Sequence, residues 1–406
     1  MMNVKIGATF SLALLLLASC GSPQQYDERA QQLAQEYIIV DGHIDVPYRL
    51  KSNWVDISKS APGGDFDYPR AQKGGLNAPF MSIYIPVEYQ KTGGAKEAAD
   101  SLISMVKGIA SENPDQFAIA TSPQEIQSQF EQGLISLPMG IENGAPIQDL
   151  SLVQYFYDQG IRYITLAHAK DNRISDSSYD TTVDTHNGLS DFGVEVIKEM
   201  NRVGMMVDVS HITDEAFHDV MKATEAPVVA THSSCRHFTP GFERNMSDEL
   251  IKRLGQNNGV IMINFGSTFL DSAARQSYDR VQQEISQKLE ERGLNPSSEE
   301  AENFSRSYFQ ENFQFSSVEK VADHIDHVVD IAGIDHVGLG SDFDGVGPTL
   351  PEGLKDVAAY PNLISELLKR GYTEEEIKKI CSGNIFRVWN EVNSIADDLQ
   401  QSTDKN

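Results

Sequence analysis

At the end of an apolar run, His43 and Asp45 stand two residues apart and offer an imidazole nitrogen and a carboxylate oxygen. In an extended chain residues i and i+2 face the same side, so both donors can aim at one point, as a divalent cation requires. Alone the pair is weak, because a chain with ten histidines and 59 acidic residues contains an HxD by chance. The arrangement recurs, however: Glu142, His168, His211, His232 and Asp342 each stand at or just past the end of a further apolar run. The imidazoles of His43, His211 and His232 with the carboxylates of Asp45 and Glu142 make an N/O donor set suited to zinc and similar ions. That is more than one open tetrahedral site needs, whereas two metals sharing a bridging carboxylate use all of them. Glu142, between the others in chain order and flanked by Gly140 and Gly144, is the natural bridge. Taken alone, His168 also fits a satisfied core histidine, and Asp342 a loop cap.

Such a set assembles only if the runs that carry it converge. Strand-type runs fall at 37–40, 80–86, 134–141, 163–167, 205–209, 227–230, 260–264 and 337–340, and segments of helical spacing such as 188–202 and 214–223 lie between them. Eight near-continuous apolar strands alternating with helices predict an α/β fold, a single (β/α)8 TIM barrel, whose strand ends meet on one catalytic face. His324 and His327, beside Asp323 and Asp326, precede the last strand on a helix away from that face and read as surface residues. His186, His218 and His237 receive no role. An insertion at 269–315, helical over 280–292, follows the seventh strand and so belongs at the mouth, as a lid, a partner surface or a plain helical excursion. The barrel domain is expected over 37–396, with two covering helices in 366–392 and a frayed tail at 397–406.

A net charge of −26 argues against a nucleic-acid surface, which needs clustered Lys and Arg. It says nothing specific about substrate. Residues 1–19 read as a signal peptide: Lys5 precedes an apolar stretch too short to span a bilayer. Its end, LASC, resembles a bacterial lipobox, in which cleavage precedes the cysteine and both the Cys20 thiol and the new amine are acylated; a plain signal containing Cys20 is the other reading. Residues 20–36 would be a polar tether and leading helix. The remaining Cys235 and Cys381 read as inert buried thiols.

Together these residues resemble the membrane (renal-type) dipeptidases, metallopeptidase family M19. The matching blocks are VDGHIDVP (40–47), GIEN (140–143), GIRYITLAH (160–168) and GLSDFGVEVIKEMNRVGMMVDVSH (188–211), then PVVATHSS (227–234), RNMSD (244–248) and HIDHVVDIAGIDHVGLGSDFDGV (324–346). They cover nearly all of the chain after the signal. The resemblance implies a barrel of the metal-dependent hydrolase type holding two zinc ions, one on His43 and Asp45, the other on His211 and His232, bridged by Glu142. It implies that His168 and Arg244 hold substrate and that Asp342 is the acid/base group touching it. A planar guanidinium at Arg244 can pair bidentately with the free α-carboxylate of a dipeptide.

Two departures lie at the pocket wall. The loop after His168, AKDNRISDSS, keeps Asn172 and Asp176 but lacks a tryptophan found in relatives, and Gly266 stands where some relatives carry an aromatic residue. Both bear on substrate preference. The expected activity is hydrolysis of dipeptides by hydroxide held between the metals. Another binuclear-metal hydrolysis on the same barrel, of a lactam, a lactone or an N-acyl amino acid, is the first alternative. A non-catalytic lipoprotein binding peptides or partners through the insertion is the second. The expected setting is export, with a lipid anchor on a bacterial membrane facing periplasm or surface. Relatives often dimerise, which leaves a homodimer open, but nothing in the sequence identifies an interface.

Overall fold

The structure, a computed structural model, describes residues 23–182 and 185–403. Ten strands form: β1 (Ile39–Ile44), β2 (Leu76–Tyr84), β3 (Phe117–Ile119), β4 (Ile135–Leu137), β5 (Met139–Glu142), β6 (Ile161–Thr165), β7 (Met206–Asp208), β8 (Val229–Ser233), β9 (Val260–Ile263) and β10 (Val337–Leu339). Eight of them close an all-parallel barrel in the order β1-β10-β9-β8-β7-β6-β5-β2. This is the expected TIM barrel, and its strands are almost wholly buried, only Asn77 and Tyr84 of β2 being half-buried, because helices cover them outside. The run 134–141 divides at Pro138, which lacks the N–H a continuous ladder would need. Its first part becomes β4 and pairs outside the barrel with β3, a strand the sequence reading does not contain.

Inside the barrel, Val40, Phe80, Tyr163, Met206, Val229 and Met262 share one buried cluster with Trp389, whose ring packs against Phe80. Trp389 belongs to helix Asn384–Thr403, whose Arg387 also donates to the Asn258 and Asp335 carbonyls just ahead of β9 and β10. The helix therefore plugs the N-terminal end and leaves the other end for chemistry. It also corrects the tail expected at 397–406, because helix runs to Thr403: Ala396 is buried and Gln400 Nε2 donates to the Arg202 carbonyl at 2.7 Å. The leading helix expected within 20–36 takes up Pro23–Glu36, longer than a tether ahead of it allows, since Ala30, Leu33 and Ala34 form an apolar stripe that is buried in the core.

Short polar caps fix where the outer helices begin. Ser190, Thr213 and Ser247 each accept the N–H three residues on, starting helices Asp191–Val203, Asp214–Ala223 and Asp248–Gln256. Thr213 follows His211 by two residues, so the cap also sets how that histidine leaves its strand. The insertion folds as two helices, Ser272–Glu291 and Glu299–Asn312, around a separate small core of Val281, Ile285, Leu289, Phe309 and Phe313.

Candidate metal centre

Glu142 ends β5, and its two oxygens face different partners. Oε2 stands 3.5 Å from His43 Nε2, whereas Oε1 stands 3.2 Å from His211 Nε2 and 3.3 Å from His232 Nε2. His43 Nε2 lies 3.8 Å from Asp45 Oδ1 on the other side. One carboxylate thus lies between two half-sites, each with its own imidazole nitrogens. Ligand-type atoms gather in overlapping groups, within 4.8 Å of one another: His43, Glu142 and His232; Glu142, His168 and His211; His43, Asp45 and Asp342.

The donors fit divalent metal. His43 Nε2 and Asp45 Oδ1 are buried without a hydrogen-bond partner, an arrangement that is costly unless a ligand answers it. His211 Nε2 and His232 Nε2 face each other at 2.8 Å, and at most one of them can carry a proton. Outer partners set the tautomers. His43 Nδ1 lies 2.8 Å from the Tyr163 hydroxyl, and His232 Nδ1 lies 2.8 Å from Thr231 Oγ1, which itself donates to Asp208 Oδ2 at 2.7 Å. Because Thr231 spends its proton on Asp208, it must accept from His232, leaving the Nε2 lone pair free for metal.

Electrostatics follow the same division. Burial would raise the Glu142 carboxyl, but the imidazoles gathered around it, His168 and His43 first and then His211 and His232, hold it well below the usual carboxylate range. Burial keeps His211 and His232 neutral, helped by the positive charge of Arg244, and neutral imidazole is the metal-binding form. At His43 burial works against charge, yet Tyr163 and Glu142 outweigh it and lift the imidazole well above its ordinary value. A metal entering there would displace that proton. Asp342 is pushed well above the carboxylate range, by burial first and then by the Asp45 charge.

The remaining expected residues ring this cluster. His168 Nε2 is 3.5 Å from Glu142 Oε1, its ring lies against Tyr84 and His211, and burial keeps it neutral. Arg244 is buried; Nη1 donates to Ser233 Oγ and Nη2 to the His232 carbonyl, both at 2.8 Å, while Nε has no partner. Among the described residues no carboxylate pairs with it. Asp342 Oδ2 accepts from Asn264 Nδ2 at 2.8 Å. Cys20 lies outside the described residues. His324 corrects its reading as a surface residue: it is fully buried, with Nδ1 accepting from the Cys235 N–H and Nε2 facing the Leu270 carbonyl. Cys235 and Cys381 are free and buried.

Backbone strain concentrates here. His211, Asp342 and Asn143 have φ of 72°, 62° and 77°, a left-handed conformation that non-glycine residues adopt at a cost of about 1–3 kcal/mol. Gly140 serves a packing purpose, since a Cβ there would stand 2.1 Å from the Tyr163 ring that carries the His43 partner. At Gly266 the space an added side chain would enter is taken by Val346 and Phe269. Asn172, in the loop after His168, donates to Asn143 Oδ1 and the Leu166 carbonyl, tying that loop to the residue after Glu142. Tyr163, Thr231, Asp208, Asn143 and Asn264 are absent from the sequence-predicted site. Asn264 is the one with a signal, a polar residue ending an apolar run.

Residues 27–403 match the family model described as membrane dipeptidase (peptidase family M19). Among solved structures, the probable dipeptidase PvdM from Pseudomonas aeruginosa is 25% identical with a TM-score of 0.79, covering 92% of this chain and 100% of that one. Dipeptidase AC, a metallopeptidase of family M19, is 26% identical with a TM-score of 0.72 over 88% of this chain and 98% of its own. A metallopeptidase from Rhodobacter sphaeroides, solved with a phosphinate mimic of the dipeptide L-Ala-D-Ala, shares the fold at 24% identity and a TM-score of 0.72, over 88% of this chain and 99% of its own.

Proposed function

This chain belongs to the membrane dipeptidases of peptidase family M19, and on that premise we propose that it hydrolyses the peptide bond of dipeptides with two zinc ions. His43 and Asp45 would hold one, His211 and His232 the other, and Glu142 both. The observation that carries this reading is the divided carboxylate of Glu142, with Oε2 toward His43 and Oε1 toward His211 and His232. Zinc so held supplies Lewis acidity and brings the pKa of water to about 7.

The chain's own residues supply the rest. Arg244, a buried guanidinium with an unpaired Nε–H, takes the α-carboxylate of the C-terminal residue. A buried cation without an anion is unfavourable, so substrate completes the pair. Neutral His168 orients the scissile carbonyl oxygen from the far side of Glu142. Asp342, steadied by Asn264, takes the proton released by the attacking water and passes it to the leaving amine. We also propose that the protein is exported and anchored by lipid at Cys20, a reading supported by the sequence of residues 1–20.

Protein purified without chelator should carry about two zinc per chain by elemental analysis. It should cleave dipeptides while leaving their C-terminally amidated forms nearly untouched. Absence of metal would sink the binuclear reading, and equal turnover of free and amidated forms would remove Arg244 from its role.

A further inference from the structure

A second guanidinium faces the mouth of the barrel. Arg275, on the first turn of helix Ser272–Glu291, is half-buried with Cζ 3.5 Å from the centroid of the Phe242 ring. Among the described residues it makes no ion pair and no side-chain hydrogen bond; Asp279 and Tyr179 act on it only through space. It lines a cavity of about 330 Å³ with Tyr179, Phe242, Phe269 and Gly345.

Three walls of that cavity touch the metal centre. The Phe269 ring lies 5.4 Å from Arg244 Cζ, and the Tyr179 ring 5.7 Å from that of His211. At Gly345 a Cβ would stand 2.1 Å from Asp342 Oδ1 and 2.3 Å from Asp45 Oδ2, so this loop rests directly on both carboxylates. From Arg244 outward the order is guanidinium, Phe269, Phe242, guanidinium, with the two rings in edge contact at 5.7 Å.

We propose that this cavity receives the side chain of the substrate's C-terminal residue, and that Arg275 makes the enzyme select dipeptides whose C-terminal side chain is acidic. The inference rests on the dipeptidase reading above. An α-carboxylate held by Arg244 shares its Cα with the side chain, which must then leave toward a neighbouring wall. The neighbouring wall is Phe269, and the unpaired cation beyond it is Arg275. A guanidinium fixed on an aromatic face keeps its fork oriented, so a carboxylate can meet it bidentately. The charge of −26 disfavours acidic substrates at long range, which leaves selection to contact with this cation.

The test compares kcat/KM for Ala-Glu with that for its neutral isostere Ala-Gln, in both C-terminal stereochemistries, on the zinc-loaded enzyme and on R275Q and R275K. The wild type should favour Ala-Glu by about tenfold or more in at least one stereochemistry. R275Q should bring the ratio close to one, chiefly through KM, and R275K should retain part of it. A ratio near one in the wild type, or one that R275Q leaves unchanged, overturns the proposal. So does an equal fall on both substrates, which would mark Arg275 as only a structural clamp on Phe242. If no dipeptide is cleaved, Ala-Ala included, the dipeptidase reading itself fails. Cleavage of Ala-Ala with a Glu-to-Gln ratio of one overturns the subsite alone.

Discussion

His43 depends on a residue that touches no substrate. Its Nδ1 lies 2.8 Å from the Tyr163 hydroxyl, and that contact frees Nε2 to point at Glu142 and Asp45. Replacing Tyr163 with Phe keeps the ring that fills the space beside Gly140 but removes the oxygen. Outer partners of metal-binding histidines change affinity by about 10–100-fold when removed. Y163F should therefore weaken zinc binding by that order in a chelator competition, with little loss of thermal stability; unaltered affinity would refute an orienting role. The donor residues that gather around Glu142 were legible in the sequence because each is a polar residue closing an apolar run, a local pattern. Tyr163, Thr231 and Asp208 were not, because their roles arise between strands. Tyr163 lies on β6 and reaches β1, while Thr231 on β8 reaches Asp208 on β7. Without a register, nothing in the spacing pairs them.

Helices show where local reading fails for a different reason. His324 and His327 form an HxxH beside two aspartates, which suggests a solvated face, yet His324 lies on the stripe of Val321, Ile325 and Val328 and is fully buried in helix Val318–Ala332. The apolar spacing was present in the sequence, and charge at neighbouring positions masked it. Burial lowers the His324 pKa from 6.5 to about 3. The folded state then binds this proton more weakly than the unfolded state, so stability falls as pH drops from 6.5 toward 3. The loss approaches about 1.4 kcal/mol per pH unit in that window. H324Q, which cannot titrate, should flatten this part of the profile, measured by urea unfolding at pH 7 and pH 5. H324L should cost about 1–3 kcal/mol at pH 7 for each unpaired group, the Cys235 N–H and the Leu270 carbonyl. A pH slope equal in wild type and H324Q would show that other groups govern acid unfolding.

At the scale of the whole molecule, the barrel separates stability from chemistry: Trp389 and its helix close one end, and the ligands occupy the other. The eight-fold alternation of runs made that architecture legible before any contact was known, whereas the extent of the first and last helices was not, because Pro23–Glu36 and the final stretch 397–403 carry few large apolar residues. The leading helix matters for attachment. Pro23–Glu36 packs against helix Tyr360–Lys369, with Arg29 paired to Glu374 and Asp27 accepting from Ser365. An acylated Cys20 would then stand only three residues from a docked helix and hold the barrel close to the membrane. Among the described residues no helix is long and apolar enough to cross a bilayer. One acyl chain binds membranes only marginally, but acylation of both the thiol and the new amine exceeds that limit. The native protein should accordingly partition into the detergent phase of Triton X-114 and incorporate labelled palmitate. C20S should move to the aqueous phase without label. Wild-type protein found unlabelled in the aqueous phase would overturn lipidation and leave export by a plain signal peptide.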